Sequence, residues 1–217
     1  FVLNTGMPAV VKSGGAIIDT NTFNNTIPTV LTHDSILGAT ADGGLTKLST
    51  GTLTLSGLNT FTGDVTVSGG VLAAGVAGSA GNSALGSVGS TRTINVNSGG
   101  TLRFDVGNVF NNNFGNLTLT GGTLTATIGS ASGYGSWNLN GTVTSTGSSF
   151  ISTTASVPIT LSAASGTNTL FDVQSGTLTA TAALGQVTAT GDTRVSSLTK
   201  TGSGTMILSG ANTYSGG

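Results

Sequence analysis

The chain has 217 residues, among them 36 Gly and 40 Thr, with no Cys, no Glu and a formal net charge of −1. Only 6% of the residues are charged, against about 25% in an ordinary soluble domain, so there is no basic footprint for nucleic acid or an anionic membrane surface. A mean hydropathy of +0.28 argues for a folded chain, no apolar run approaches the ~18 residues of a membrane-crossing helix, and the lack of Cys excludes a disulfide framework.

The first stretch, "FVLNTGM", is apolar and shows neither an initiator Met nor a signal pattern, which reads as a processed or excised piece. "DTNTFNN" follows, without the regular acidic positions of a calcium loop. "VLTHDSILG" then carries the one histidine, His33, beside Asp34. A single His with no Cys gives no transition-metal site, and no nucleophile stands near it in sequence.

From Leu45 the chain reads "LTKLSTGTLTLSGLNTFTGD" and runs on into "VTVSGGVLAAG", with apolar residues at every second position. That period is the mark of a strand with one buried face. Gly75–Ser87, "GVAGSAGNSALGS", reads as an excursion with a helical turn at Asn82–Leu85. In "INVNSGGTLRFD", Arg103 and Asp105 alternate onto one strand face as a solvated ion pair. "LTLTGGTLTATI" is followed by a second excursion, "GSASGYGS", and by "WNLNGTVTST". Tyr134 and Trp137 there pack locally or stack on a sugar ring. "FDVQSGTLTAT" leads to the last twenty residues, "LTKTGSGTMILSGANTYSGG".

Those twenty residues align with Leu45–Asp64 at eleven identities: Leu-Thr-Lys at the start, then Gly51/Gly204, Thr52/Thr205, Leu55/Leu208, Ser56/Ser209, Gly57/Gly210, Asn59/Asn212, Thr60/Thr213 and Gly63/Gly216. Leu53/Met206 and Phe61/Tyr214 are conservative exchanges. Between the two copies, turn glycines at 70, 100, 122, 141, 176 and 204 step by 30, 22, 19, 35 and 28 residues. Steps of this size with short alternating strands predict the rungs of a parallel β-helix, about nine or ten of them at roughly 23 residues each. An antiparallel β-sandwich is the alternative. No linker breaks the pattern, so residues 1–217 are expected to form one elongated domain, with repeat units at 44–73 and 198–217, the second incomplete.

The stretch "GGLTKLSTGTLTLSGLNTFTGDVTVSGGVLA" resembles the autotransporter-associated β-strand repeat of bacterial passenger regions. Leu45, Lys47, Gly51, Leu53, Leu55, Gly57, Asn59, Phe61, Gly63, Gly70 and Leu72 fall on its pattern. Leu198, Lys200, Gly204, Met206, Leu208, Gly210, Asn212, Tyr214 and Gly216 do so in the second copy. The resemblance implies a right-handed parallel β-helix, export, and display outside the cell or on the bacterial outer surface. It implies no ligand, cofactor or metal: the glycines serve turns, the leucines the core, and Asn a turn hydrogen bond. Lys47 and Lys200 are expected to snorkel along the rod with their amines in water.

The expected function is therefore a structural rod, a stalk, display or adhesin-like passenger segment with no enzymatic activity. The seven Asp lie far apart, which speaks against a polysaccharide-active β-helix enzyme. Alternating Thr in "TLTL" and "TLTAT" opens a further reading, ice binding by stacked Thr ladders. An end rung without a polar cap exposes a pairing edge, so the expected partners are a continuation of the same rod or a second copy joined end to end, possible glycan or cell-surface ligands staying unassigned.

Overall fold

Thr alternating with Val, Leu and Ile favours a pleated strand, and the turns between them, many at glycine, keep each strand to two to five residues. The computed structural model describes residues 9–216 apart from 80, 89–91, 107–112, 130–132, 157, 162–167, 190, 192 and 194. Two eight-stranded parallel sheets run through it. The first face stacks Ala16–Asp19, Leu45–Leu48, Val65–Val67, Thr93–Asn97, Asn116–Thr120, Val143–Thr146, Thr169–Val173 and Leu198–Thr201. The second stacks Asn25–Ile27, Thr52–Leu55, Gly70–Ala74, Gly100–Phe104, Thr123–Ala126, Ser148–Ile151, Thr177–Ala180 and Thr205–Leu208. The chain alternates between the faces in order, so each adjacent pair is one rung of a parallel β-helix.

A third face is more fragmentary. It holds a four-stranded parallel sheet of Asn113–Phe114, Asn138–Leu139, Ile159–Leu161 and Leu184–Gln186, and, at the first rung, Ala9–Val11 paired with Leu31–His33. Eight rungs are thus described, with Ala9–Val11 belonging to a row before them. In-register residues Ala16, Leu45, Val65, Ile94, Leu117, Val143 and Phe171 are spaced by 29, 20, 29, 23, 26 and 28 residues. The rungs are longer than the 23 residues expected because most of them build a third face as well.

Inward residues stack in register. Leu53, Leu72, Leu102, Leu124, Ile151, Ala180 and Leu208 form one continuous column on the second face. All but Leu208 are fully buried. Each buried Leu or Ile side chain contributes about 1.5–3 kcal/mol by leaving water, so the column joins neighbouring rungs more firmly than strand pairing alone. Outward columns are mixed: Thr52, Val71, Thr101, Thr123, Phe150, Thr179 and Ile207 succeed one another on the second face. Thr46, Thr66, Asn95, Thr118, Thr144, Asp172 and Thr201 do so on the first. Among the described residues, no column of these sheets has more than two threonines in succession.

Gly75–Ser87 departs from expectation. Asn82–Ser83 and Gly86–Ser87 form an antiparallel hairpin where a helical turn was expected. The Ser83 hydroxyl accepts from Leu85 N at 3.1 Å and donates to Gly86 O at 3.0 Å, and Gly86 has φ +96°. These local bonds hold a turn that helical backbone would not allow. Ala84 and Leu85 are buried, so the segment closes the third face of its rung.

Candidate functional site: the repeat clasps

In the strand Leu45–Leu48, residues 45 and 47 share one side, and that side faces the core. Lys47 is therefore inside the rod, 0% exposed, and does not snorkel to water. Its Nζ donates to Ser49 O at 2.8 Å, Gly69 O at 2.9 Å, Thr20 Oγ1 at 3.0 Å and Leu48 O at 3.1 Å. Thr20 lies in the rung before and Gly69 in the rung after, so one ammonium ties three rungs. An ammonium has three protons to donate and no lone pair, and a corner where several carbonyls converge is the environment that makes its burial tolerable. Burial pushes its pKa below the ordinary lysine value, with the charge of Asp19 acting the other way. Ser49 has φ +59°, the left-handed bend that turns the corner around Nζ; Gly202, its counterpart in the second copy, has φ +74°.

Asn59 makes the corresponding link on the third face. Its Oδ1 accepts from Leu31 N at 2.8 Å and its Nδ2 donates to Ala84 O at 2.5 Å. Leu31 is one rung back and Ala84 one rung on. Phe61, two residues later, is fully buried beside it. Gly57 is held to its type by proximity: a Cβ there would stand 2.9 Å from Thr29 O of the preceding rung.

The second copy reproduces the asparagine link to the rung below, and of the lysine set the bonds within its own corner. Asn212 Oδ1 accepts from Leu184 N at 2.9 Å, Thr213 N donates to Leu184 O at 2.8 Å, and a Cβ on Gly210 would stand 2.2 Å from Ala182 O. Lys200 Nζ donates to Thr201 O at 3.2 Å and Gly202 O at 2.9 Å, the counterparts of Leu48 and Ser49. Lys200 and Asn212 are exposed, and Leu198, Met206, Leu208 and Tyr214 are half-buried where Leu45, Leu53, Leu55 and Phe61 are fully enclosed.

His33 and Asp34 do not act as a pair. Asp34 Oδ1 accepts from Ile36 N at 3.1 Å, capping the short 3-10 turn Ser35–Leu37. His33 Nδ1 lies 2.8 Å from Asp42 Oδ2 and its Nε2 3.1 Å from Gly38 O. Asp42, buried, also accepts from the N–H groups of Thr62, Gly44 and Gly63 at 2.8, 2.9 and 3.0 Å. Both imidazole nitrogens are engaged, which leaves no free base. Asp42 went unnoticed in the sequence. Its signal was "DGG", a carboxylate placed to accept from the N–H two residues on.

Arg103 and Asp105 form the expected pair, bidentate at 2.7–2.9 Å and partly exposed, with Thr127 Oγ1 also donating to Asp105 Oδ1 at 2.8 Å. Trp137 belongs to the core: it is 1% exposed, its Nε1 donates to Thr125 O at 2.8 Å, and its ring lies 5.1 Å from that of Phe104. A hollow of about 620 Å³ at the first rung is lined by Ile17, Phe23, Asn25 and Ile27, with Asp19 the one carboxylate among its described residues. No group of three or more His, Cys, Asp or Glu that could hold a metal ion occurs among the described residues.

Stacked parallel rungs, a continuous apolar column and a repeat whose polar residues tie rung to rung define a parallel β-helix repeat protein. The family model of the passenger-associated-transport-repeat matches residues 45–74 and 198–217, the two copies in which those ties are found. The repeats imply a passenger segment of the autotransporter kind and suggest a secreted or surface location. No curated protein and no solved structure matches the chain.

Proposed function

We propose that the chain is a structural rod segment of an autotransporter passenger, a single elongated domain that holds other parts of its protein away from the cell surface and catalyses nothing itself. The observation that supports this reading is the use made of the repeat's reactive side chains. Lys47 and Asn59, polar side chains of the first repeat, are buried and spend their hydrogen bonds on the rungs either side. The partly exposed Arg103–Asp105 pair neutralises itself. The mixed outward columns offer no flat Thr lattice for ice.

The test is small-angle scattering of the purified chain together with incubation against acidic and neutral polysaccharides. A rod close to 40 Å long, eight rungs at ~4.8 Å each, with no new reducing or unsaturated ends is the expected outcome. Turnover abolished by Arg103→Ala or Asp105→Ala would replace the rod with an enzyme.

A further inference from the structure

Asn59 and Asn212 are bonded alike to the rung below, while both repeat lysines and both asparagines differ in what is described above them; of the two lysines, Lys47 alone has a described bond to the rung below, to Thr20. Above Lys47 lies Gly69 O at 2.9 Å, and above Asn59 lies Ala84 O at 2.5 Å. Both acceptors belong to residues 65–88, which form the rung covering the first copy. At the second copy the described bonds of Lys200 are the two within its own corner, and the described bond of the Asn212 side chain is the one to Leu184 below. Beside them the strand Thr205–Leu208 is the edge of its sheet, with Met206 and Leu208 half-buried on the inward side.

We infer that Lys200 and Asn212 mark a docking face for one kind of partner, a parallel rung whose first corner presents a backbone carbonyl above Gly202 and whose third face presents another above Asn212. The Ser68-Gly69-Gly70 corner and the Ala84 turn supply those two carbonyls at the first copy, so the partner is a rung of the type of residues 65–88. Three demands make this face selective. The rung needs inward apolar residues to cover Leu198, Met206 and Leu208. Its corner carbonyl must reach Nζ, and the corner must be slim, since a Cβ on Gly70 would come within 2.9 Å of Lys47 Nζ and 2.4 Å of Gly51 O. A rung lacking that corner would bury Lys200 with one acceptor short, a costly arrangement for a charged group. Lys200 is thus a specificity-determining residue for the rung that docks on this face. The inference rests on the rod reading for its biological sense and on the geometry of the two copies for its substance.

The test appends a copy of residues 65–88 directly after Gly217 of the full chain, since Asp64 and Gly217 are equivalent positions. Acetylation of each lysine is followed by mass spectrometry, with exposed Lys12 and buried Lys47 as internal references. Lys200 is expected to react at the rate of Lys12 in the original chain and at least about tenfold more slowly in the extended one. Lys200→Met should lower the thermal midpoint of the extended chain and leave that of the original chain unmoved. A second extension carrying Ala at the position copied from Gly70 should lose the protection. Two results would overturn the proposal: Lys200 staying reactive while amide exchange shows residues 199–201 newly protected, or no new protection anywhere in the extended chain. Concentration-dependent protection of Lys200 in the unextended chain would assign the face to a second copy instead. None of these readouts depends on display or catalysis, so the docking face can fail while the rod reading survives, and the reverse.

Discussion

The imidazole of His33 is clamped between the carboxylate of Asp42, 2.8 Å from Nδ1, and the carbonyl of Gly38, 3.1 Å from Nε2. Two acceptors on two ring nitrogens are fully satisfied only by the imidazolium, which donates from both. The Asp42 hydrogen bond raises the His33 pKa above 6.5, against a smaller opposing effect of desolvation. Burial works to raise Asp42, but His33 and the three backbone N–H groups outweigh it, and its pKa falls below 3.8.

The pH dependence follows. His33 binds its proton more tightly folded than unfolded, so its contribution is complete below about pH 6.5 and is lost as pH rises through its folded value. Asp42 contributes fully above about pH 4 and is lost as pH falls through its depressed value. The chain should therefore have a higher thermal midpoint at pH 5.5 than at pH 8.5, and His33→Gln should flatten that difference. Equal slopes in the two proteins would remove the clamp from the account.

Lys47 and Lys200 occupy the same repeat position in opposite surroundings. Lys47→Met takes the ammonium away from four oxygens, of which Thr20 Oγ1 and Leu48 O keep other contacts, and should cost about 1–3 kcal/mol in urea unfolding. Lys200→Met, at an exposed site, should stay within about 0.5 kcal/mol. Matching losses at both sites would contradict the burial difference.

Asn59 satisfies one backbone N–H and one backbone C=O in adjacent rungs. Asn59→Ala should cost about 2–4 kcal/mol, since both groups lose their partner inside the rod. The same change at Asn212, whose described side-chain bond is to Leu184 N, should cost less. Hydrogen exchange at Leu31 N and Leu184 N checks the two sites independently of global stability.

Gly57→Ala places a methyl within 2.9 Å of Thr29 O. The rungs must part locally to admit it, with a loss of about 1–3 kcal/mol. A crystal structure of the variant should show Gly57 and Thr29 displaced from each other while the columns two rungs away keep their register.

Strand alternation was legible because period two and turn glycines recur over the whole chain, and parallel stacking because the same corner recurs. Lys47 was misplaced by its charge. In "LTKL" it shares parity with Leu45 and so points inward, but sequence alone does not show that Ser49, Gly69 and Thr20 converge on its amine. The third face escaped because strands of two residues, such as Asn138–Leu139, are too short to display a period. The Asp42 clamp joins residues across a 3-10 turn, and only the fold sets that distance. In the second copy, Asn212 bonds to the rung below and Gly210 lies close against it, as Asn59 and Gly57 do in the first.

A solenoid whose rungs meet only their neighbours folds by pairwise addition. Lys47 adds a longer reach to that process, because its ammonium draws acceptors from three rungs: Thr20 in the one before, its own corner, and Gly69 in the one after. The second rung can satisfy the three protons with Thr20 and its own corner carbonyls, and the carbonyl of Gly69 adds a further acceptor once the third rung stacks on it. The lysine works as a splice pin, so that loosening one rung is felt in the two beside it.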